Sequence, residues 1–313
     1  MIRLSFIVPF YNVEPYIEEC IRSLYNQDIP QEEYEVICVD DCSPDRSRAI
    51  VERLQKEYPT LRLICHEKNK RLGGARNTGI RNAQGKYIMF VDSDDMIKHN
   101  CLRHLISEME AQDDDYIHFN LENLSKDGKL IPSNHYIDDT IQMTGPNLFL
   151  SQKLSWGQQI SACGKIYKLD FIKKNDLFFV EDIMYEDNDY AMRVAAFATR
   201  CRHIEYSPYI YRYCPNSVTR RVVDRQKLLY WQDTWRIILN LYPMLIEKDI
   251  RFKDMLSEYM KYDLMELQKD IITLSKKDRY IVKHSMSIFE WVKVCSFLST
   301  KQRLKYISKL LVL

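Results

Sequence analysis

Residues 85–100 read GKYIMFVDSDDMIKHN: an apolar strand runs directly into three aspartates within four positions, Asp92, Asp94 and Asp95. Like charge is concentrated where a buried strand reaches the surface. The flanking chain shows what kind of sheet that strand belongs to. Upstream, LSFIVPF (4–10), YEVICVDD (34–41) and LRLICHE (61–67) are further apolar strands. Between them lie helical patterns: PYIEECIRSLYNQ puts Ile17, Cys20, Ile21 and Leu24 on one face, with Pro15 in the first turn. SPDRSRAIVERLQKEY has Ser43 as the expected N-cap and Pro44 at the first helical position, and GGARNTGIRNA follows the third strand. Strand and helix in strict alternation predict an α/β fold with a mostly parallel central sheet covered by helices.

In such sheets ligands sit outside the carboxyl ends of the strands. Those ends read PFYN, VDDCS, HEKN and VDSDD, so acidic and turn-forming residues gather along one edge. Asp92 and Asp94, at alternate positions, are suited to one hard divalent cation, Mn2+ or Mg2+, which takes one or two carboxylates and fills its shell with phosphate oxygens and water. The competing expectation is that the aspartates cap a helix beginning near Met96.

Composition narrows the classes. With 45 Lys and Arg against 44 Asp and Glu, the balance gives no reason to expect nucleic acid as the main partner. Nine cysteines without CxxC pairs read as reduced thiols, and seven dispersed histidines argue against a His-ligated metal. The opening MIRLSFIVPFYN is expected to be a first core strand rather than a signal peptide. No window holds the ~18 apolar residues that a membrane span needs.

The 313 residues divide, on this pattern, into an alternating strand-helix segment 1–113, a mixed segment 114–225 and a helical C-terminal extension 226–313. All eight glycines lie at or before Gly164 and the last proline is Pro243, which leaves residues 244–313 without breakers. Past Glu290 no acid remains, while Lys293, Lys301, Arg303, Lys305 and Lys309 do. A basic amphipathic end suits weak contact with an anionic membrane surface, or a helix packing its leucines on the protein with lysines in water.

Four stretches in order, SFIVPFYNVEPYIEECIRSLYNQ, VICVDDCSPD, KNKRLGGARNTGIRNAQGKYIMFVDSDD and MYEDNDYAMR, resemble the family two glycosyltransferases of GT-A fold over roughly residues 3–225. The resemblance implies a cytoplasmic enzyme, peripheral at the membrane if the basic tail binds it, with 1–113 as the nucleotide-sugar-binding half and 114–225 as the acceptor-binding half of the same catalytic domain. It would move a sugar from a nucleotide-sugar donor, expected to be a UDP-sugar, to a glycan or lipid-linked acceptor, with one displacement and inversion. It places Pro9, Tyr11, Asn12 and Glu14 at the base and ribose, Asp41 at the uracil-type base, and Asn69 and Arg76 along the nucleotide pocket. Asp92 and Ser93 fall on the donor side, Asp94 with Asp92 at the metal, and Asp187 of the Glu186-Asp187 pair is the general base.

Structural alternatives stand beside these roles: rim packing for Tyr11, an Asx-turn for Asp41, a surface ion pair for Arg76, helix N-terminal charge for Asp187. Glu181 with Asp182 is a substitute pair for the base. Trp156, Lys165 and the run Ser217, Thr219, Arg220, Arg221 are further candidates near acceptor or diphosphate. Arg71 stands where the family pattern has glycine, which predicts an altered loop after Asn69. Gly73, Gly74 and Gly79 do not form a GxGxxG fingerprint. The rival functions are a non-catalytic nucleotide-sugar or glycan-binding module and a sugar nucleotidyltransferase, the latter disfavoured by a glycine-free first turn, PFYNVEP.

Overall fold

A computed structural model describes residues 1–132, 141–151, 159–214 and 224–297. Packing divides the chain into two compact units, Met1–Asp182 with Glu186–Pro215, and Ile183–Tyr185 with Asn216–Leu313.

The first unit is built on a nine-stranded sheet of order β3-β2-β1-β4-β8-β6-β9-β5, with β7 pairing β6. Strands β1 (Leu4–Phe10), β2 (Tyr34–Asp40), β3 (Leu61–Cys65) and β4 (Tyr87–Phe90) run parallel. β1 and β2 are buried at every position, which is why they read as unbroken apolar runs. Pro9 sits inside β1 without harm. The Ile7 carbonyl accepts from Val91 on the β4 side and the Phe10 carbonyl from Asp41 on the β2 side. By strand alternation the nitrogen of Pro9 therefore faces β4, past the last β1–β4 pair at Ile7 and Phe90, where no N–H is required.

The second half of the sheet is mixed. β8 (Lys165–Lys168) is antiparallel to β4 and to β6 (Tyr116–Leu124). β9 (Cys201–Arg212) runs parallel to β6, and the two-residue β5 (Met96–Ile97) pairs antiparallel with β9. β7 (Leu130–Pro132) edges β6. The strand expected at YIHFNLENL is thus β6, and the aromatic run YSPYIYRYC is the end of β9.

Helices α1 (Ile17–Tyr25), α2 (Ser47–Leu54), α3 (Arg71–Asn82) and α4 (Leu102–Gln112) follow β1, β2, β3 and β5. α1 buries Ile17, Cys20, Ile21 and Leu24 as its spacing predicts. α2 starts later than the sequence suggested: Ser43 and Pro44 precede it, the Ser43 hydroxyl accepts from the Asn12 N–H, and Asp45 accepts from the Ser47 N–H. No helix begins at Met96. That segment is β5, so Asp95 has no helix to cap, and α4 starts at Leu102. The short helices α5 (Gly145–Phe149) and α6 (Leu169–Lys174) precede α7 (Glu186–Phe197).

The second unit is helical: α8 (Arg225–Lys248), α9 (Phe252–Ile271), α10 (Lys276–His284) and α11 (Ile288–Ser296). Asp224 caps α8, Ser275 caps α10, and Ser287 with Glu290 forms a capping box on α11. Trp235, Met260, Leu264, Val282 and Val294 form its core, and the Trp235 indole donates to Asp263 at 2.9 Å. Among the described residues no helix is long and apolar enough to cross a membrane. Trp156, the 217–221 cluster and the basic residues from Lys301 onward lie outside the described residues.

Candidate active site

The site collects at the carboxyl ends of the parallel strands, where left-handed backbone is frequent. Asn12 (φ 56°), Cys42 (φ 67°) and Arg71 (φ 60°) all turn there without glycine. Arg71 thus takes a left-handed backbone that its side chain disfavours, a turn held under strain.

The ends of β2 and β3 are tied through Asp41. Its Oδ1 accepts from the Lys70 N–H and bonds the His66 ring, both at 2.7 Å, and His66 reaches Thr78 Oγ1 with its other nitrogen at 2.8 Å. Asn69 donates to the Asp41 carbonyl at 2.9 Å. The Asx-turn weighed for Asp41 is made by Asp40, whose Oδ1 accepts from the Ser43 N–H at 2.9 Å, while Asp41 holds the β3–α3 loop in place. Tyr11 is half exposed on the same edge, and Pro9 is buried within β1. Glu14 is committed locally, accepting from the Arg46 backbone at 3.1 Å and from its guanidinium at 2.9 Å, and that arginine holds its carboxyl below the usual range.

The aspartate cluster after β4 separates by partner. Asp95 is fully buried, accepting from the Tyr209 hydroxyl at 2.6 Å and the Arg212 N–H at 2.8 Å, so it fastens the turn to β9. Arg212 also donates to the Asp94 carbonyl at 3.0 Å. Burial, and then the charge of Asp92, raises the Asp94 carboxyl, while a hydrogen bond from the Cys214 thiol opposes the rise. Ser93 is buried between them. Asp92 keeps 34% of its side chain exposed and accepts from Arg76 Nη2 at 2.9 Å.

Arg76 is the joint of the site. Its guanidinium, 1% exposed, donates through Nη1 to Glu186 at 2.7 Å and to Asp187 at 2.5 Å while Nη2 holds Asp92. It lies over the rings of Phe179 and Phe90, 5.2 and 6.0 Å from their centroids. This is a buried three-carboxylate hub and not the surface ion pair weighed as its alternative. Glycine and asparagine on α3 make it reachable. A Cβ on Gly73 would lie 2.7 Å from the Val180 carbonyl, and Asn77 exchanges hydrogen bonds with Phe179, donating to its carbonyl at 2.9 Å and accepting from its N–H at 2.8 Å. The chain entering α7 is thereby pressed onto α3.

Glu186 and Asp187 begin α7. Burial first, then the neighbouring Asp187, pushes the Glu186 carboxyl up to about 7. Asp187 is also raised, chiefly by burial and against the pull of Arg76. With 22% of its side chain exposed it retains access to solvent, and its Oδ2 accepts from the Ala162 N–H at 3.3 Å. Asp189 pairs with Arg193 one turn on. Glu181 accepts from Asn77 at 3.0 Å and from Arg81 at 3.5 Å. Two of the scattered histidines also meet: His118 and His203 are neighbours across β6 and β9, Nδ1 to Nδ1 at 2.8 Å, and burial pushes His203 down to about 4.

Among the described residues no group of three or more acidic, His or Cys side chains is gathered to hold a metal ion by itself, so a hard divalent cation would have Asp92 and Asp94 alone as protein donors. Arg76 already holds Asp92, Glu186 and Asp187, while burial first and then Asp92 raises the carboxyl of Asp94. Two carboxylates at alternate positions are what a Mg2+ or Mn2+ shared with a diphosphate requires.

A parallel α/β half with acids at its strand ends, joined to a carboxylate-bearing helix by way of a mixed half-sheet, is the arrangement of a GT-A fold. Comparison with known proteins gives the family. The chain belongs to glycosyl transferase family 2, whose model matches residues 5–170. The uncharacterized glycosyltransferase EpsJ of Bacillus subtilis (strain 168) is 34% identical over 222 residues, 69% of this chain and 62% of EpsJ. The poly(ribitol-phosphate) beta-N-acetylglucosaminyltransferase TarS of Staphylococcus aureus (strain MW2) is 31% identical over 215 residues, 67% of this chain and 35% of TarS. The match thus spans less than two thirds of either relative. The crystal structure of S. aureus TarS 1–349 in complex with UDP superposes with a TM-score of 0.72 at 22% identity, covering 98% of this chain and 87% of that one. The mannosyltransferase PcManGT from Pyrobaculum calidifontis, in complex with GDP-Man and Mn2+, gives 0.55 at 15% identity over 99% and 86% of the two chains.

Proposed function

We propose that the chain transfers a sugar from a UDP-sugar to a hydroxyl of a glycan or lipid-linked oligosaccharide, with inversion and with dependence on Mn2+ or Mg2+. The observation that carries this reading is the guanidinium of Arg76, which brings donor-side Asp92 and the carboxylate of Asp187 within one side chain's reach. In this reading Tyr11, Asn12, Asp41 and Asn69 border the base and ribose, with Pro9 and Ser93 as their buried supports. Glu14 acts indirectly, by fixing the start of α2.

Asp94 and Asp92 would hold the cation, which would supply Lewis-acid stabilisation to the departing diphosphate. Asp187 accepts the proton of the acceptor hydroxyl as that oxygen bonds to the anomeric carbon. The bond from that carbon to the phosphate oxygen breaks, and UDP leaves with the electron pair. Burial lifts the basicity of Asp187 while Arg76 keeps it ionised, so it takes a proton without being neutral beforehand. Glu186 orients it through the shared Arg76 nitrogen. A nucleotidyltransferase would instead need a phosphate-cradling loop after β1, where the chain offers the glycine-free turn Tyr11-Asn12.

Titration calorimetry with UDP, GDP, CMP and dTDP sugars and Mn2+, followed by a UDP-release assay with and without acceptor glycans, tests this. UDP-sugar binding that loses its metal dependence in Asp94→Asn, and turnover reduced about 10²- to 10⁴-fold in Asp187→Asn, are the expected results. Full turnover by Asp187→Asn would remove it as the base. Co-sedimentation with anionic vesicles, with and without the basic tail, tests the membrane contact; equal pelleting would remove it.

A further inference from the structure

Lys165 opens β8, and its side chain is buried, an unusual place for an ammonium. Its Nζ donates to the Gln159 carbonyl at 3.1 Å and to the Ser161 carbonyl. Two residues along the same strand face, the Tyr167 hydroxyl donates to the Ala162 carbonyl at 3.0 Å. Gly164, at φ 80°, is the left-handed turn that folds residues 159–163 back over these two side chains. The backbone so pinned is the one whose Ala162 N–H meets Asp187 Oδ2.

The ionisable groups around the ammonium are few. Asp187 faces it from α7 and Cys163 from its own segment, while Tyr116 and His118 of β6 line with it a small cavity closed by Leu148 and Phe149. Attraction between Lys165 and Asp187 works in both directions: the ammonium is stabilised and the carboxyl is pulled down. An apolar residue of similar length would fill such a position at least as well if packing were its only purpose.

We propose that Lys165 is a positioning residue for the acceptor base: it pins the 159–162 backbone that hydrogen-bonds Asp187 and places a buried positive charge behind that carboxylate. The inference rests on Asp187 being the base. Burial lowers the ammonium to about 8, so its influence is full near neutrality and fades in alkali.

The test compares wild type with Lys165→Met, which keeps the stem and removes the charge, and Lys165→Gln, which keeps a donor for a carbonyl and removes the charge. Loss of the cation and of the Ala162 bond both raise the carboxyl of Asp187. The acid limb of kcat should therefore move up by about one pH unit in Lys165→Met, with kcat at pH values on that limb down about 10-fold and the donor KM within about 3-fold, since below the pKa a shift of that size is a tenfold change in ionised base. Lys165→Gln should show the same displaced limb with a smaller drop in its pH-independent rate. In protein labelled with ¹³C at the aspartate carboxyls, the signal lost in Asp187→Asn should titrate about one unit higher in Lys165→Met. A titration and an acid limb that stay where wild type has them overturn the proposal, whatever happens to the melting temperature. If wild type releases no UDP from any donor, it is the transferase reading that falls, and the carboxyl titration still decides whether Lys165 acts on Asp187.

Discussion

Replacing Arg76 by Met should make the stability of the sheet unit steeply pH-dependent. Methionine fills the stem's place against Phe90 and Phe179 without the charge, so packing changes little and electrostatics changes much. Three carboxylates, Asp92, Glu186 and Asp187, lose the donor that holds each of them at 2.5–2.9 Å. Removing one partner of a buried ion pair costs about 3–5 kcal/mol, a large share of the 5–15 kcal/mol that typically separates folded from unfolded chains.

The orphaned carboxyls reduce that cost by taking up protons when the pH allows. Glu186 already titrates at about 7 when folded, against an ordinary 4.5, so the folded protein binds its proton more tightly than the unfolded chain does. Its contribution is therefore lost as the pH rises from about 4.5 to 7 and is constant above that. Without the guanidinium the folded value rises further and the window extends upward. Near pH 5 wild type and variant both keep this group largely neutral when folded, and the gap between them should shrink to about 1 kcal/mol; near pH 8 it should reach the full 3–5 kcal/mol. Urea unfolding followed by far-ultraviolet circular dichroism at the two pH values, with amide exchange on α3 to isolate this unit, reads the difference. An equal loss at both pH values would refute the charge-hub account of Arg76.

Gly79→Ala places a methyl 2.2 Å from Ile7 Cγ2, at the contact of α3 with β1, and should cost about 1–3 kcal/mol in urea unfolding. The double variant with Ile7→Ala should lose less than the sum of the two single changes, and strict additivity would mean that the contact is not the cause. Arg71→Gly removes a left-handed arginine while loosening the unfolded chain, so the two effects offset and stability should stay within about 1 kcal/mol of wild type. A larger loss would show that the Arg71 side chain, and not its backbone, sustains the turn.

Much of this architecture is legible in the chain because the signals are local. The apolar runs at 4–10 and 34–40 name buried parallel strands, and the spacing of Ile17, Cys20, Ile21 and Leu24 names a helix face. The acids at strand ends mark the working edge by sheet geometry alone. What sequence reasoning misses is set by contacts between distant residues. Asp95 resembles a helix cap because nothing local reveals that β9 supplies Tyr209 and Arg212 to it. Ser43 and Pro44 spell a helix start, yet Ser43 is spent on Asn12 and Asp45 takes over at Ser47. The role of Arg76 depends on Glu186 and Asp187, 110 and 111 positions away. The one available hint was the small-residue spacing Gly73, Gly74, Ala75, Gly79 beside it, which marks α3 as a helix approached closely by other chain.

The distance in sequence between Arg76 and Asp187 also orders events during synthesis. While the ribosome has made only the four parallel strands, Arg76 can reach Asp92 alone, and its guanidinium waits in an apolar setting for acids not yet translated. The contact with Asp92 can thus form before the contacts with Glu186 and Asp187 exist. Long-range closure of this kind is slow. The closure that completes the Arg76 hub is therefore late, and stalling the ribosome near residue 170, then near 200, would separate the two stages.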